Sequence, residues 1–423
     1  MRRLLRHLIL KRVERYTVRL IRKHQPLIIG VTGSVGKTST KLAIAHILSA
    51  QYTVQVHQGN YNTDFGLPLS LFDLDPPQQS TDIRGWWQIL KTMKATVAQE
   101  YPYDAVVLEL GADQPNDIGK FMRYLTPDIG VVTAVAKVHY EAFASIDDIL
   151  EEKWKLAGGS RAVIYNHDDK RLRAQAQQLQ HATGYGLMET DVYSQLHGFN
   201  EEKGWQATLH IDGTAVDIEF PVLGQQSVYA LTAAVAVAYQ LGIDMQTCQE
   251  RLKDWEQPSG RMRLLRGKYG SSIIDDSYNA SPYATVAALD ALYRFRGRKI
   301  AVLGSMNELG DYEVDGHRMV GKHAADMDML VTIGTAANTH LVPAALEAGL
   351  PPSSVHECNT PYEAGDYLAA QLQGGDVVLV KGSQGGVFAE EAIKPILADS
   401  SDEAKLVRQS ESWLQAKAKQ FAI

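Results

Sequence analysis

Cysteine is nearly absent: Cys248 and Cys358 are the only two in 423 residues. They lie 110 positions apart with no short metal-type spacing, which excludes a disulfide framework and a structural zinc and fits a reducing, cytoplasmic setting. Long apolar runs are also missing. The longest stretches, such as IGVVTAVA at 129–136, fall far short of the ~20 residues that cross a bilayer. No internal repeat and no low-complexity segment occurs, so solenoid and linker-rich classes drop out. A 45% hydrophobic and 22% charged composition is that of a globular chain, and its length exceeds what one core usually serves.

Excess positive charge is lacking as well, since the net charge is -7. Residues 1–25 nevertheless hold nine Lys or Arg and one Glu, leaving 33 basic against 48 acidic residues beyond them. A generally basic nucleic-acid binder is thereby excluded, and the N-terminus stands apart. There Leu4, Leu5, Leu8, Ile9, Val13, Tyr16, Leu20 and Ile21 are expected on one stripe of an amphipathic helix that Pro26 ends. With no continuous apolar core and no small-residue cleavage site, it makes a poor secretory leader. Two readings stand: the stripe packs on the protein body, or the basic helix contacts an anionic membrane or a partner protein.

What is present is a rhythm of short apolar strands and helices. PLIIGV, YTVQVH, AVVLELGA, DIGVVTAVA and RAVIYNHDD read as strands, with a hairpin in WQATLHIDGTAVDIEFPV turning at Asp212-Gly213. The polar DWEQPSGR at 254–261 suggests a boundary, after which SSIIDDS, KIAVLGS, MLVTIGT and DVVLVKGS restart the rhythm. The expectation is an α/β protein with the basic helix at 1–25 and a central phosphate-loop domain at 26–257 whose sheet is mostly parallel. A second, Rossmann-like α/β domain at 258–400 and a helical tail at 401–423 follow.

The run GVTGSVGKTST at 30–40 joins a strand to a helix. Glycines there let backbone N–H groups face an anion, Lys37 can reach β and γ phosphates, and Thr38 can ligate magnesium. Val31 stands where a strict Walker A motif wants its first glycine. Thr32, Gly33, Ser34, Val35, Gly36, Lys37, Thr38 and Ser39 are the expected nucleotide contacts. Glu109, closing an apolar strand, and His139, after the next one, lie at strand ends where α/β sheets gather ligands. Both are candidate magnesium ligands.

The ordered motifs TGSVGKTSTK, GNYNTDFGLPLS, ELGADQPNDI, VHYEAF, SGRMR, DDSYNASP, VLGSMNELGDYE and VKGSQG resemble those of the Mur ligase family from about residue 27 to about 390. The resemblance implies an ATP- and magnesium-dependent ligase of peptidoglycan precursor synthesis. It would activate a carboxylate as an acyl phosphate, which an amine attacks to give an amide, ADP and phosphate. The implied reaction joins D-alanyl-D-alanine to a UDP-N-acetylmuramoyl-tripeptide-like carboxylate. By the same resemblance Lys37 holds the transferred phosphate, Thr38, Glu109 and His139 ligand magnesium, and Lys153 is the carbamylated lysine near the metal. Arg261, Asp275 and Asp276 would contact the nucleotide from the second domain, and Asn279 the reacting phosphate. Asn60 and Asn62 would lie on the acceptor side, Lys381 and Ser383 toward the amine.

Three departures stand out. The family carries an N-terminal domain for the UDP-sugar, whereas only the basic helix precedes this phosphate loop. Gln226, Ser227 and Ala230 stand where the family has its adenine-side His and Asn, and Gln384 where arginine is common. The alternatives are a Mur-type ligase for another acceptor, such as a poly-amino-acid chain, and a non-catalytic ATP-binding scaffold.

Overall fold

A computed structural model describes residues 2–57, 63–77, 79, 82–136 and 142–421. Asn60, Asn62 and His139 lie outside the described residues. Two sheets organise the chain. The first contains β1 (Leu27–Thr32), β2 (Val54–Val56), β3 (Ala105–Glu109), β4 (Ile129–Val132), β5 (Ala162–Asn166), β6 (Ala182–Gly186), β7 (Val192–Asn200), β8 (Gly204–Ile211) and β9 (Thr214–Phe220). Its order is β2-β3-β1-β4-β5-β6-β7-β8-β9, parallel as far as β7 and antiparallel from there.

The near-continuous apolar strands follow from burial on both faces. Ile29, Val31, Ala105 and Val107 join the core beneath the helices Lys37–Leu48 and Gln225–Gln240, while Ile28, Val106 and Leu108 face the opposite core. Neighbouring residues point to opposite sides, so a strand clad on both sides loses its polar alternation. The expected hairpin is the β8–β9 pair, with Ile211 opposite Thr214 and both Asp212 and Gly213 at positive φ.

The second sheet contains β10 (Arg263–Arg266), β11 (Ser272–Asp276), β12 (Lys299–Gly304), β13 (Met329–Ile333), β14 (Val355–Cys358) and β15 (Val377–Lys381), ordered β10-β11-β15-β12-β13-β14. The four expected strands form its middle. Its edges, β10 (RLLR) and β14 (VHEC), carry too much polar surface to be picked out by hydrophobicity. The last described helix, Glu411–Phe421, sets Trp413 and Phe421 against the Phe388 ring.

The N-terminal helix Arg2–His24 corrects the single-stripe expectation. Ile9, Val13, Thr17 and Leu20 are buried in the core, whereas Leu4, Leu5 and Leu8 are 66%, 40% and 52% exposed. At about 100° per residue Leu4 and Leu8 fall away from the buried arc and Leu5 lies at its edge. Lys23 caps the neighbouring helix Ile83–Ala98 by donating to the carbonyls of Val97 and Ala98, each at 2.8 Å. Among the described residues no helix is long and apolar enough to cross a membrane.

Candidate active site

The carboxyl end of β1 turns into the phosphate loop. Gly33 has φ 147° and sits so close to the end of β4 that a Cβ would lie 2.0 Å from Thr133 Oγ1, so side chains are excluded there by space. Gly36, at φ 81°, has room for a Cβ but occupies the left-handed region at the N-cap of the helix Lys37–Leu48. Ser34 fixes the loop by donating from its N–H to Ala134 O at 2.8 Å and from its hydroxyl to Ala136 O at 2.8 Å. The first turn of the helix contains no acidic residue, leaving the positive end of its dipole uncompensated.

Lys37 folds back over the loop and donates to Gly33 O at 2.9 Å; burial holds its pKa below the ordinary 10.5. Thr38 Oγ1 donates to Glu109 Oε2 at 2.9 Å and accepts from Arg261 Nη2 at 3.1 Å. Lys41, one helical turn beyond Lys37, lies 3.4 Å from the same Glu109 oxygen, and both side chains are almost fully buried. Thr32 requires correction. Its buried hydroxyl donates to Leu110 O at 2.7 Å beneath the loop, binding β1 to the end of β3 rather than facing a nucleotide.

Lys153 rides on the helix Ile146–Gly159, whose start is fixed by a capping box between Ser145 and Asp148. It is 1% exposed, and among the described residues its amine has one acceptor, Ala112 O at a long 3.5 Å. Its neighbour Glu152 is committed elsewhere, to the N–H groups of Asn116 and Ile118 and to Lys155. Burial, reinforced by the nearby Lys37, pushes the Lys153 pKa down to about 7. The sequence left open a plain surface lysine, and its burial excludes that.

Opposite this corner stands the second sheet, across a cleft of about 1160 Å³ lined by Lys37, Thr38, Glu109, Arg261, Asp276 and Asn279 among others. Arg261 stacks on the Tyr278 ring at 4.1 Å while reaching over to Thr38. Asp276 pairs with Lys381 at 2.5 Å, and Lys381 also donates to Asn279 O at 2.9 Å. Asn279 Oδ1 accepts from Gln384 N at 3.2 Å, and Ser383 Oγ accepts from Asn307 N at 2.8 Å.

Asp275 is the second correction. Fully buried, it accepts from Gly260 N at 3.0 Å and from the Ser277 N–H and hydroxyl at 3.1 and 2.5 Å, and burial pushes its pKa up to about 6. It shapes the loop and does not line the cleft.

The description "Mur ligase middle domain" matches residues 31–238, and "Mur ligase, glutamate ligase domain" matches 260–384. A UDP-N-acetylmuramoyl-tripeptide–D-alanyl-D-alanine ligase of Synechocystis is 31% identical over 381 residues, covering 88% of this chain and 75% of that protein. The chain belongs to the Mur ligase family. The ligase of the same name from Bacillus subtilis is 29% identical over 88% of this chain and 76% of its own length. The MurF ligase of Thermotoga maritima, solved in complex with ADP, superposes with a TM-score of 0.76 at 24% identity over 93% of this chain and 84% of its own, which shows the shared fold. As a Mur ligase this chain is an ATP-dependent, ADP-forming enzyme.

The donor set of this Mur ligase suits magnesium. Two oxygens bound at right angles to a magnesium ion, at its usual ~2.0–2.1 Å, stand about 2.9 Å apart. Thr38 Oγ1 and Glu109 Oε2 are separated by that distance.

Sequence reasoning missed Lys41, although its spacing of four from Lys37 puts both on one helix face. It also missed Arg408. That side chain donates to Glu390 at 2.8 and 2.5 Å, to Tyr278 O at 2.9 Å and to Ser277 O at 2.7 Å, gripping the loop that carries Asn279 from behind. Nothing in the tail sequence signals that contact.

Proposed function

We propose that this Mur ligase joins D-alanyl-D-alanine to the terminal carboxylate of a UDP-N-acetylmuramoyl-tripeptide in the cytoplasm. The observation that carries the reading is an excess of cations at the cleft wall, with Lys37, Lys41 and Arg261 around the Thr38–Glu109 pair and Lys153 close to Lys37 and Asp113. Bringing a carboxylate and a triphosphate together requires cations in excess, and the relatives' names supply the reactants.

In this reading the loop amides of residues 33–38 and Lys37 hold the β and γ phosphates, and Thr38 with Glu109 would hold magnesium. His139 would be a further ligand, and Lys153, carbamylated, would approach the metal as an anion. The bound ion would offset charge building up on the transferred phosphoryl group. A carboxylate oxygen of the acceptor attacks the γ phosphorus and ADP departs. The dipeptide amine then attacks the acyl carbon, phosphate leaves, and one proton is released to solvent. Arg261 steadies the phosphates from the second domain. Asn279 faces the reacting group from the loop that Lys381 and Arg408 hold, with Lys381 and Ser383 toward the amine. Asn60 and Asn62 are assigned to the acceptor.

The test is phosphate release with mass detection of the amide, using UDP-N-acetylmuramoyl-tripeptide with and without D-alanyl-D-alanine. The expected result is dipeptide-dependent turnover with a matching product. Nucleotide binding without any amide would overturn the proposal.

A further inference from the structure

The outer face of the N-terminal helix is a charged and apolar surface that the ligase reaction does not use. Away from the buried Ile9, Val13, Thr17 and Leu20, the helix opens with the exposed Leu4 and Leu8, and with Leu5 at the border of the buried arc. The same arc continues with Lys11, Arg12, Arg15, Arg19 and Arg22, all exposed. Glu14, the only acid of this helix, lies off that arc and is half-buried.

A second helix extends the surface. The helix Ile83–Ala98 packs beside the first and runs the same way. Lys23 and His24 meet its last carbonyls, while at the other end Phe65 links the two starts, with Arg6 5.6 Å above its ring and Trp86 4.5 Å away. Beside these starts Ile83 and Trp87 are 63% and 64% exposed. Lys91 sits over the Trp87 ring at 5.4 Å, and Arg84 and Lys94 are exposed too, with no acid in this helix. The acids nearest this end are engaged: Asp64 by Arg6, and Asp82 by the N–H groups of Arg84 and Gly85.

We propose that these two parallel helix starts form a docking surface for an anionic lipid bilayer, with Leu4, Leu5, Leu8, Ile83 and Trp87 entering the interface and the arginine row meeting headgroups. Two features select a bilayer over an acidic protein. Leucines and a tryptophan gathered at one end, with cations behind them, match the division of a membrane interface into an apolar interior and a charged rim. The cations form a row along one arc, which suits a continuous field of negative charge and needs no counterpart shape. The rest of the body beyond residue 25, which as a whole carries an acidic excess, would be repelled by the same membrane, so contact is restricted to these two helix starts.

The test is flotation of the full-length protein with vesicles of phosphatidylcholine alone or of phosphatidylcholine with phosphatidylglycerol. The protein should float with the anionic vesicles, stay behind with neutral ones, and detach at high salt. Two triple variants separate the forces, L4S/L5S/L8S and R12E/R15E/R19E. All six positions are exposed, so unfolding temperatures should match the parent protein. Each variant should lower the floated fraction by about tenfold or more. Equal flotation with neutral vesicles, or failure of the parent protein to float, would overturn the proposal. So would full flotation of the leucine variant, because the surface would then read charge alone.

Discussion

The two sides of the cleft treat buried charge in opposite ways. On the side of the first sheet, Lys37 and Lys41 crowd the buried Glu109, Lys153 sits near Lys37 with Asp113 as a further acid in reach, and Arg261 arrives from the second domain as a fourth cation. On the side of the second sheet the charges are matched. Lys381 pairs with Asp276, Arg408 with Glu390, Lys417 with both Glu390 and Glu391, and Lys394 with Glu391, at 2.5 to 2.8 Å. Buried charge is costly unless compensated. The matched region therefore reads as scaffold, and the unmatched one as a place whose compensating anions arrive with the reaction.

Removing one cation from each side gives the sharpest break of that comparison. Lys37→Met should lower turnover by about 10²–10³-fold, the usual loss for one electrostatic contact to a transferring group. Its unfolding temperature should hold or rise, since a like-charged neighbour of Lys153 disappears. Lys417→Met should do the reverse. It takes one of two cations from each of two buried carboxylates, leaving Lys394 on Glu391 and Arg408 on Glu390, and should cost about 3 kcal/mol in denaturant unfolding. If both variants lost stability alike, the distinction between the two sides would be void.

A smaller effect is expected from Arg408→Lys. A lysine can keep the ion pair with Glu390 but cannot donate simultaneously to the carbonyls of Ser277 and Tyr278. The loop bearing Asn279 loosens while the phosphate loop is untouched. We expect kcat to fall about tenfold, with the thermal shift produced by ADP unchanged. A loss confined to nucleotide affinity would show that Arg408 serves the nucleotide instead.

How much of this was legible depended on how far apart in sequence the partners lie. Lys37, Thr38 and the glycines belong to one continuous loop, and Glu109 announces itself as a carboxylate ending an apolar strand. The pair Asp275 and Asp276 could have been separated from strand geometry alone. Neighbours on β11 point to opposite faces, so only one can look into the cleft. The register places Asp276 beside Lys381 of β15, which explains why that lysine is committed. Arg408 was invisible because its contacts with Ser277 and Tyr278 span 131 and 130 positions. The edge strands β10 and β14 were missed because exposed edges need no apolar pattern.

The subtlest consequence of the unmatched side is a pH dependence centred on Lys153. Its ammonium titrates near 7 in the folded protein, against an ordinary value of 10.5 in the unfolded chain. Below about 7 the group is charged in both states and its burial destabilises the fold in full. Between about 7 and 10.5 the unfolded chain holds a proton that the folded protein has lost, so stability rises with pH. Above that range both forms are neutral and the effect is flat. Comparing the parent protein with Lys153→Met isolates this group from other lysines. Their difference in unfolding free energy should climb in favour of the parent protein from neutral toward alkaline pH. The neutral amine is also the form that reacts with carbon dioxide, so added bicarbonate should stimulate activity near neutral pH in the parent protein and leave Lys153→Met unaffected. A difference that stays flat from pH 7 to 10 would mean that Lys153 keeps its proton, paired by an anion of the protein itself, and the first sheet's side of the cleft would be as compensated as the second's.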